Sequence, residues 1–171
     1  MIICACDPDT QTPAFAVYAG KHIIYWDCLI TRKEHWINQV ATIIGRHEPE
    51  LLVIEAQFIP PSKEGIRRFK SIAELCAARG AIQAIFRLHG INSVLAEPFE
   101  WQQSLGGSRC GRDALKRLSQ LKASDITGTP IENINTADAI CIGDWWAKTQ
   151  MRTYERELQN AKATKPSKAR R

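Results

Sequence analysis

Met1-Ile2-Ile3-Cys4-Ala5-Cys6-Asp7 opens the chain with six apolar residues and then an acid. A run this short, closed by Asp7 and the turn pair Pro8-Asp9, reads as a strand buried on both faces. Leu51-Leu52-Val53-Ile54-Glu55 repeats the pattern and again ends on an acid. Each acid then stands at the carboxyl end of a strand, the edge at which open α/β sheets bind ligands.

A third acid belongs with these two. In Ile134-Asn135-Thr136-Ala137-Asp138-Ala139-Ile140-Cys141-Ile142-Gly143-Asp144-Trp145-Trp146, helical phasing gathers Ile134, Cys141, Ile142 and Trp145 on one stripe, with Asp138 in its middle. A carboxylate among apolar side chains is costly unless a basic partner, a shifted pKa or a shared metal ion compensates it. The order and context of Asp7, Glu55 and Asp138 favour the metal.

Between these landmarks the elements follow from period and punctuation. Ile2–Cys6 is the first strand, and Phe15–Tyr18 and His22–Cys28 form a hairpin around Ala19-Gly20-Lys21. A helix is expected at about 33–47, ended by Glu48-Pro49. After the strand Leu51–Glu55, Pro60-Pro61 releases a long helix at about 63–89, and Ile91–Ala96 is the last strand. Pro98 starts a short helix, Gly106-Gly107-Ser108 breaks it, and a second covers about 112–122. A loop over 124–133 leads into the helix of Asp138. Three antiparallel strands followed by βαβ crossovers make a mixed α/β sheet flanked by helices.

Composition fits this plan. A chain of 171 residues suits one domain. No apolar stretch is long enough for a membrane span, and the start reads as a strand rather than a signal peptide. Six cysteines form neither a CxxC pair nor a zinc spacing with the four histidines, a usage that suits a reducing, cytoplasmic location. A catalytic cysteine has no local support.

Charge is uneven. From Lys148 to the end there are eight Lys and Arg against Glu155 and Glu157, while the other 147 residues carry 15 basic and 16 acidic side chains. The ending from Lys162 is polar and Pro-containing, so residues 151–171 are expected to form a basic, flexible tail behind a domain of residues 1–150. Such a tail binds nucleic-acid phosphates or simply solubilises. Two internal clusters, Lys63/Arg67/Arg68/Lys70 and Arg109/Arg112/Lys116/Arg117/Lys122, suit the same partner or a solvated helix face.

Asp7-Pro8, the Leu-Leu-Val-Ile-Glu55 strand, Ala77-Ala78-Arg79-Gly80 and Asn135-Thr-Ala-Asp138-Ala resemble the RuvC family of Holliday junction resolvases, over residues 1 to about 147. The resemblance implies a ribonuclease H-like fold with a five-stranded mixed sheet. It also implies a homodimeric endonuclease that resolves four-way or branched DNA junctions by paired symmetric nicks. Asp7, Glu55 and Asp138 would bind two Mg²⁺ ions, with Mn²⁺ an alternative. The fourth acid of the family stands where this chain has Asn135, whose carbonyl is a weaker, uncharged ligand. Phe58 matches an aromatic that stacks on an unpaired junction base; alone it reads equally as a core residue. Arg109, Arg112 and Lys116 fall where family lysines hold the scissile phosphate, with Arg112 nearest the family spacing, and Arg67 and Arg68 are further DNA-binding candidates. Gln102 stands in place of one lysine, and Asp9 replaces a glycine. The small residues around Gly80 suit the family's dimer helix or plain packing on the sheet. The rival readings are a junction-binding protein that does not cut and an RNA-processing nuclease of the same fold. Actin-like ATPases and sugar kinases need a second domain that this length excludes.

Overall fold

The computed structural model describes residues 1–30, 36–57, 69–106 and 110–163. Strands β1 (Ile2–Asp7), β2 (Ala14–Ala19), β3 (His22–Cys28), β4 (Leu51–Glu55) and β5 (Asn92–Ala96) form one sheet in the order β3-β2-β1-β4-β5. The β1–β2 and β2–β3 pairs are antiparallel, while β1–β4 and β4–β5 are parallel. This is the expected five-stranded mixed sheet, and the strand bounds differ from the sequence reading by one residue at most.

Period two decides what each strand offers to each face. Ile3, Ala5, Leu51 and Val53 enter one core, and Cys4, Cys6, Leu52 and Ile54 enter the other. Helix α1 (Trp36–His47) and helix α2 (Phe69–Leu88) cover the second face through Val40, Ile43, Ile44, Ile82 and Phe86. The first face receives α5 (Ile134–Thr149), with α3 (Pro98–Gln103), α4 (Arg112–Thr127) and α6 (Met151–Ala163) around it. Asp7 and Glu55 continue the odd-numbered series, so parity delivers both acids to the face on which α5 lies.

Helix α5 corrects one expectation. It is buried nearly all round, from Thr136 through Ala147 except at Asp138, rather than along one stripe. Asp138 faces a polar cleft, and the buried acid of the helix is Asp144, whose carboxylate meets Lys148 Nζ at 2.6 and 2.8 Å. The helix can sit close because the strands beneath it present Ala5, Ala14 and Ala16. Tyr18, fully buried, donates its hydroxyl to the Ile140 carbonyl at 2.8 Å. Its ring passes under Gly143, where a Cβ would overlap Tyr18 Cε2. Gly143→Ala must therefore push the helix or the ring aside. The expected cost is about 1–3 kcal/mol, read as a lower urea midpoint with an unchanged m-value.

Two further expectations change. Helix α4 continues to Thr127 rather than stopping at Lys122, because the hydroxyls of Ser124 and Thr127 bond back to the carbonyls of Gln120 and Ala123 at 2.7 and 2.9 Å. Gly128, at φ 69°, then ends it with a left-handed residue. Beyond residue 150 the chain is helical as far as Ala163 rather than a flexible tail from residue 151. Met151 is buried, and the Tyr154 ring meets Trp146 edge-on at 5.7 Å.

Candidate functional site

Parallel register brings the strand acids together. Cys6 pairs with Ile54, so Asp7 and Glu55 are the next residues outward on neighbouring strands. Adjacent strands lie about 4.8 Å apart, and α5 crosses above them with Asp138. All three acids line a cleft of about 350 Å³ together with Asp9, Gln57, Trp101, Gln102, Arg112, Lys116, Ser119 and Asn135.

The electrostatics are those of carboxyl groups crowded in a cleft that only partly hydrates them. Desolvation pushes the Asp7 carboxyl well above its usual range, and the charges of Glu55, Asp138 and Asp9 push the same way. Glu55 rises from 4.5 to about 7, through desolvation first and Asp138 second. Asp138 rises from 3.8 to about 6 by desolvation, moderated by a hydrogen bond from Ser119 and by the nearby charge of Lys116. The ion pairs among the described residues lie elsewhere, at Asp144–Lys148 and at the N-terminus with Glu50.

Several neutral groups hold these acids in place. Trp101, 1% exposed, donates its indole N–H to Glu55 Oε1 at 3.2 Å, and Gln57 Nε2 donates to Oε2 at 3.4 Å. Asn135 donates Nδ2 to the Thr12 carbonyl and to Thr12 Oγ1, both at 3.0 Å. Helix α4 turns Arg112, Lys116 and Ser119 into the cleft at helical spacing.

Six of the candidates from the sequence fall among the described residues and meet in one place. Asp7, Glu55, Asp138, Asn135, Arg112 and Lys116 share the cleft, and Gln102 lines it with them. Phe58, Arg67, Arg68 and Arg109 lie outside the described residues. Sequence reasoning missed Thr12, Gln57, Trp101 and Ser119. Ser119 was findable, three residues after Lys116 on the same helix face; the other three depend on tertiary contacts. Cys4, Cys6 and Cys141 are buried, and burial pushes all three thiol pKa values up.

The donor set suits a hard divalent cation. Three carboxylates and an amide carbonyl are all oxygen ligands, as Mg²⁺ and Mn²⁺ prefer, and the mutual repulsion among the acids is what a cation relieves. Among the described residues, however, no three His, Cys, Asp or Glu side chains are gathered into a ready metal cage. The acids share a cleft and one another's field without closing on a single point. Repulsion between uncompensated carboxylates acts in that direction.

The strand order and the helices on both faces define the ribonuclease H-like fold. Comparison with solved structures narrows this to the fold of RuvC-type resolvases. RuvC of Thermus thermophilus, solved in complex with a Holliday junction substrate, superposes with a TM-score of 0.65 at 18% identity, over 92% of this chain and 96% of that one. The yeast mitochondrial Holliday junction resolvase gives 0.54 at 11% identity, covering 93% of this chain and 83% of that one. The fowlpox virus Holliday junction resolvase gives 0.52 at 20% identity, over 86% and 99%. No family sequence model and no curated protein sequence matches the chain. No helix among the described residues is long and apolar enough to cross a membrane.

Proposed function

We propose that this chain is a metal-dependent endonuclease that resolves four-way DNA junctions, working as a homodimer that nicks two strands symmetrically. The observation that carries the reading is the convergence of Asp7, Glu55 and Asp138, from β1, β4 and α5, on a cleft whose wall also holds Arg112 and Lys116. An acidic floor with a basic wall suits a phosphodiester backbone approached by cations. The resolvases named above share the fold, which raises the prior for branched DNA as substrate.

Asp7, Glu55, Asp138 and the Asn135 carbonyl would hold the metal. Once bound, divalent ions supply an activated water and charge stabilisation at the departing oxygen. The remaining chemistry belongs to the chain. Arg112 and Lys116 neutralise the phosphate and set the strand's register. Trp101 and Gln57 occupy both oxygens of Glu55, so its carboxylate stays in one orientation. Ser119 offers Asp138 a single hydroxyl donor. Phe58 is proposed to stack on an opened base. The exposed face of α2 carries Ala77, Gly80, Ala81 and Ala84, with no atom within 4 Å of a Cβ built on Gly80. Such a face lets a second copy approach closely, and a two-fold dimer matches the symmetry of the junction.

The test is a synthetic four-way junction incubated with Mg²⁺, Mn²⁺, Ca²⁺ or EDTA and resolved on a denaturing gel, with linear duplex and a structured RNA beside it. Paired nicks in Mg²⁺ or Mn²⁺, and none in EDTA, are expected. Asn135 and Gln102, two departures from the family pattern, favour the non-cutting binder as the second reading. Tight junction binding without nicks in either metal would select it, and preferential cutting of the RNA would select an RNA-processing nuclease.

A further inference from the structure

We propose that Asp9 and Thr12 are positioning residues that orient Asn135, so that its carbonyl oxygen and not its amide nitrogen is offered to the cleft. Asn135 is then a built neutral ligand rather than a lost acid. The inference rests on the metal-dependent reading above.

The direction of every bond in the chain is fixed by chemistry. Asp9 Oδ1 accepts from the Gln11 and Thr12 backbone N–H groups at 2.8 Å each, and from the Thr12 hydroxyl at 3.2 Å. An oxygen that already takes two backbone N–H donors serves as an acceptor, so the Thr12 hydroxyl proton points at Asp9 Oδ1. Its oxygen then has only lone pairs left for Asn135, and the Thr12 backbone carbonyl is likewise an acceptor only. Asn135 meets both at 3.0 Å, so the group facing them must be its NH₂. With the nitrogen held there, Oδ1 is the polar atom that Asn135 has left for the cleft it lines. The turn that replaces the family's glycine with Asp9 therefore has a purpose. It builds the surface on which the amide is locked.

A carboxylate cannot take this seat unchanged. In Asn135→Asp an oxygen would face the Thr12 carbonyl and the lone pairs of its hydroxyl, and both contacts turn repulsive. The added charge should therefore bring no gain in metal affinity, whereas a simple vacant acid position would gain tenfold or more.

The experiment uses the full metal-free chain, titrated calorimetrically with Mn²⁺, and follows the Asn135 side-chain amide by ¹⁵N NMR. Thr12→Val is expected to weaken Mn²⁺ binding by about tenfold, the size of loss found when partners of metal ligands are removed. Thr12→Ser should restore it, and Asn135→Asp should bind no tighter than wild type. The amide protons of Asn135 should exchange slowly in wild type and faster in Thr12→Val. Tenfold tighter binding by Asn135→Asp, or an unchanged Thr12→Val, overturns the proposal. So does an Asn135 amide exchanging as fast as an exposed one, whatever the metal does. Protected amide protons in a wild-type protein that binds no Mn²⁺ would overturn the ligand role together with the metal-dependent reading and leave only the orientation standing.

Discussion

Asp7→Asn is expected to abolish junction cutting and, in the same protein, to raise the melting temperature of the metal-free form. Both effects come from one charge. Asp7 is the most frustrated of the three acids, raised by burial and by three carboxylates at once, Glu55, Asp138 and Asp9. Putting an amide in place of the carboxyl removes the penalty that burial and the neighbouring acids impose on it, and about 1 kcal/mol moves the melting temperature of a chain this size by about 2–4 °C. Without a ligand charge the metal site fails, and a loss of at least about 10³-fold in cutting corresponds to some 4 kcal/mol of barrier. Glu55→Gln and Asp138→Asn should behave alike, with junction binding retained in Ca²⁺. Asp144→Asn is the control. Asp144 is buried against Lys148, so this change should lower the melting temperature and spare cutting. Single-turnover cutting beside thermal melts in EDTA measures both. Any of the three cleft variants that cuts at the wild-type rate removes that acid from the proposed site. One that melts lower shows that its charge is compensated by something else.

What could be read in the sequence was whatever strand periodicity controls. Short apolar runs located the strands to within a residue and put Asp7 and Glu55 at their carboxyl ends. Helix ends were harder. Ser124 and Thr127 look like loop residues, yet their hydroxyls back-bond within α4, so the helix stops only at Gly128. The phase of α5 misled because a helix surrounded on all sides has no single apolar stripe, and the buried acid proved to be Asp144 rather than Asp138. The start of the expected tail is helical, anchored by Met151 and Tyr154, two residues too sparse to show a period. The asparagine in place of the fourth acid was visible. Its partner Thr12, 123 residues away in sequence, was not.

The metal-free protein is expected to lose stability as pH rises from about 4.5 to about 7, opposite to the usual behaviour of salt-bridged carboxylates. Glu55 titrates near 4.5 in the unfolded chain and at about 7 in the fold. Between those values Glu55 holds a proton in the native state that it has released in the unfolded state, so its contribution to stability falls with pH and levels off above about 7, while the raised Asp7 acts in the same direction. For Glu55 alone the loss is on the order of 3 kcal/mol, or about 6–12 °C in melting temperature. Asp138, raised from 3.8 to about 6, acts in the same direction over a lower range. His47 acts in the other direction, since burial holds its imidazole below the usual value and favours the fold as pH rises. Glu55→Gln should remove the Glu55 share of the fall and leave the Asp138 share and the histidine's opposing rise. Mg²⁺ should restore stability most at pH 8 and least at pH 5, where protons compete for the same oxygens. Melting curves from pH 4.5 to 8, in EDTA and in Mg²⁺, test this directly. If wild type in EDTA melts higher at pH 8 than at pH 5, the cleft acids are not the uncompensated cluster described above. A metal-induced rise independent of pH would place the cation somewhere other than on Asp7, Glu55 and Asp138.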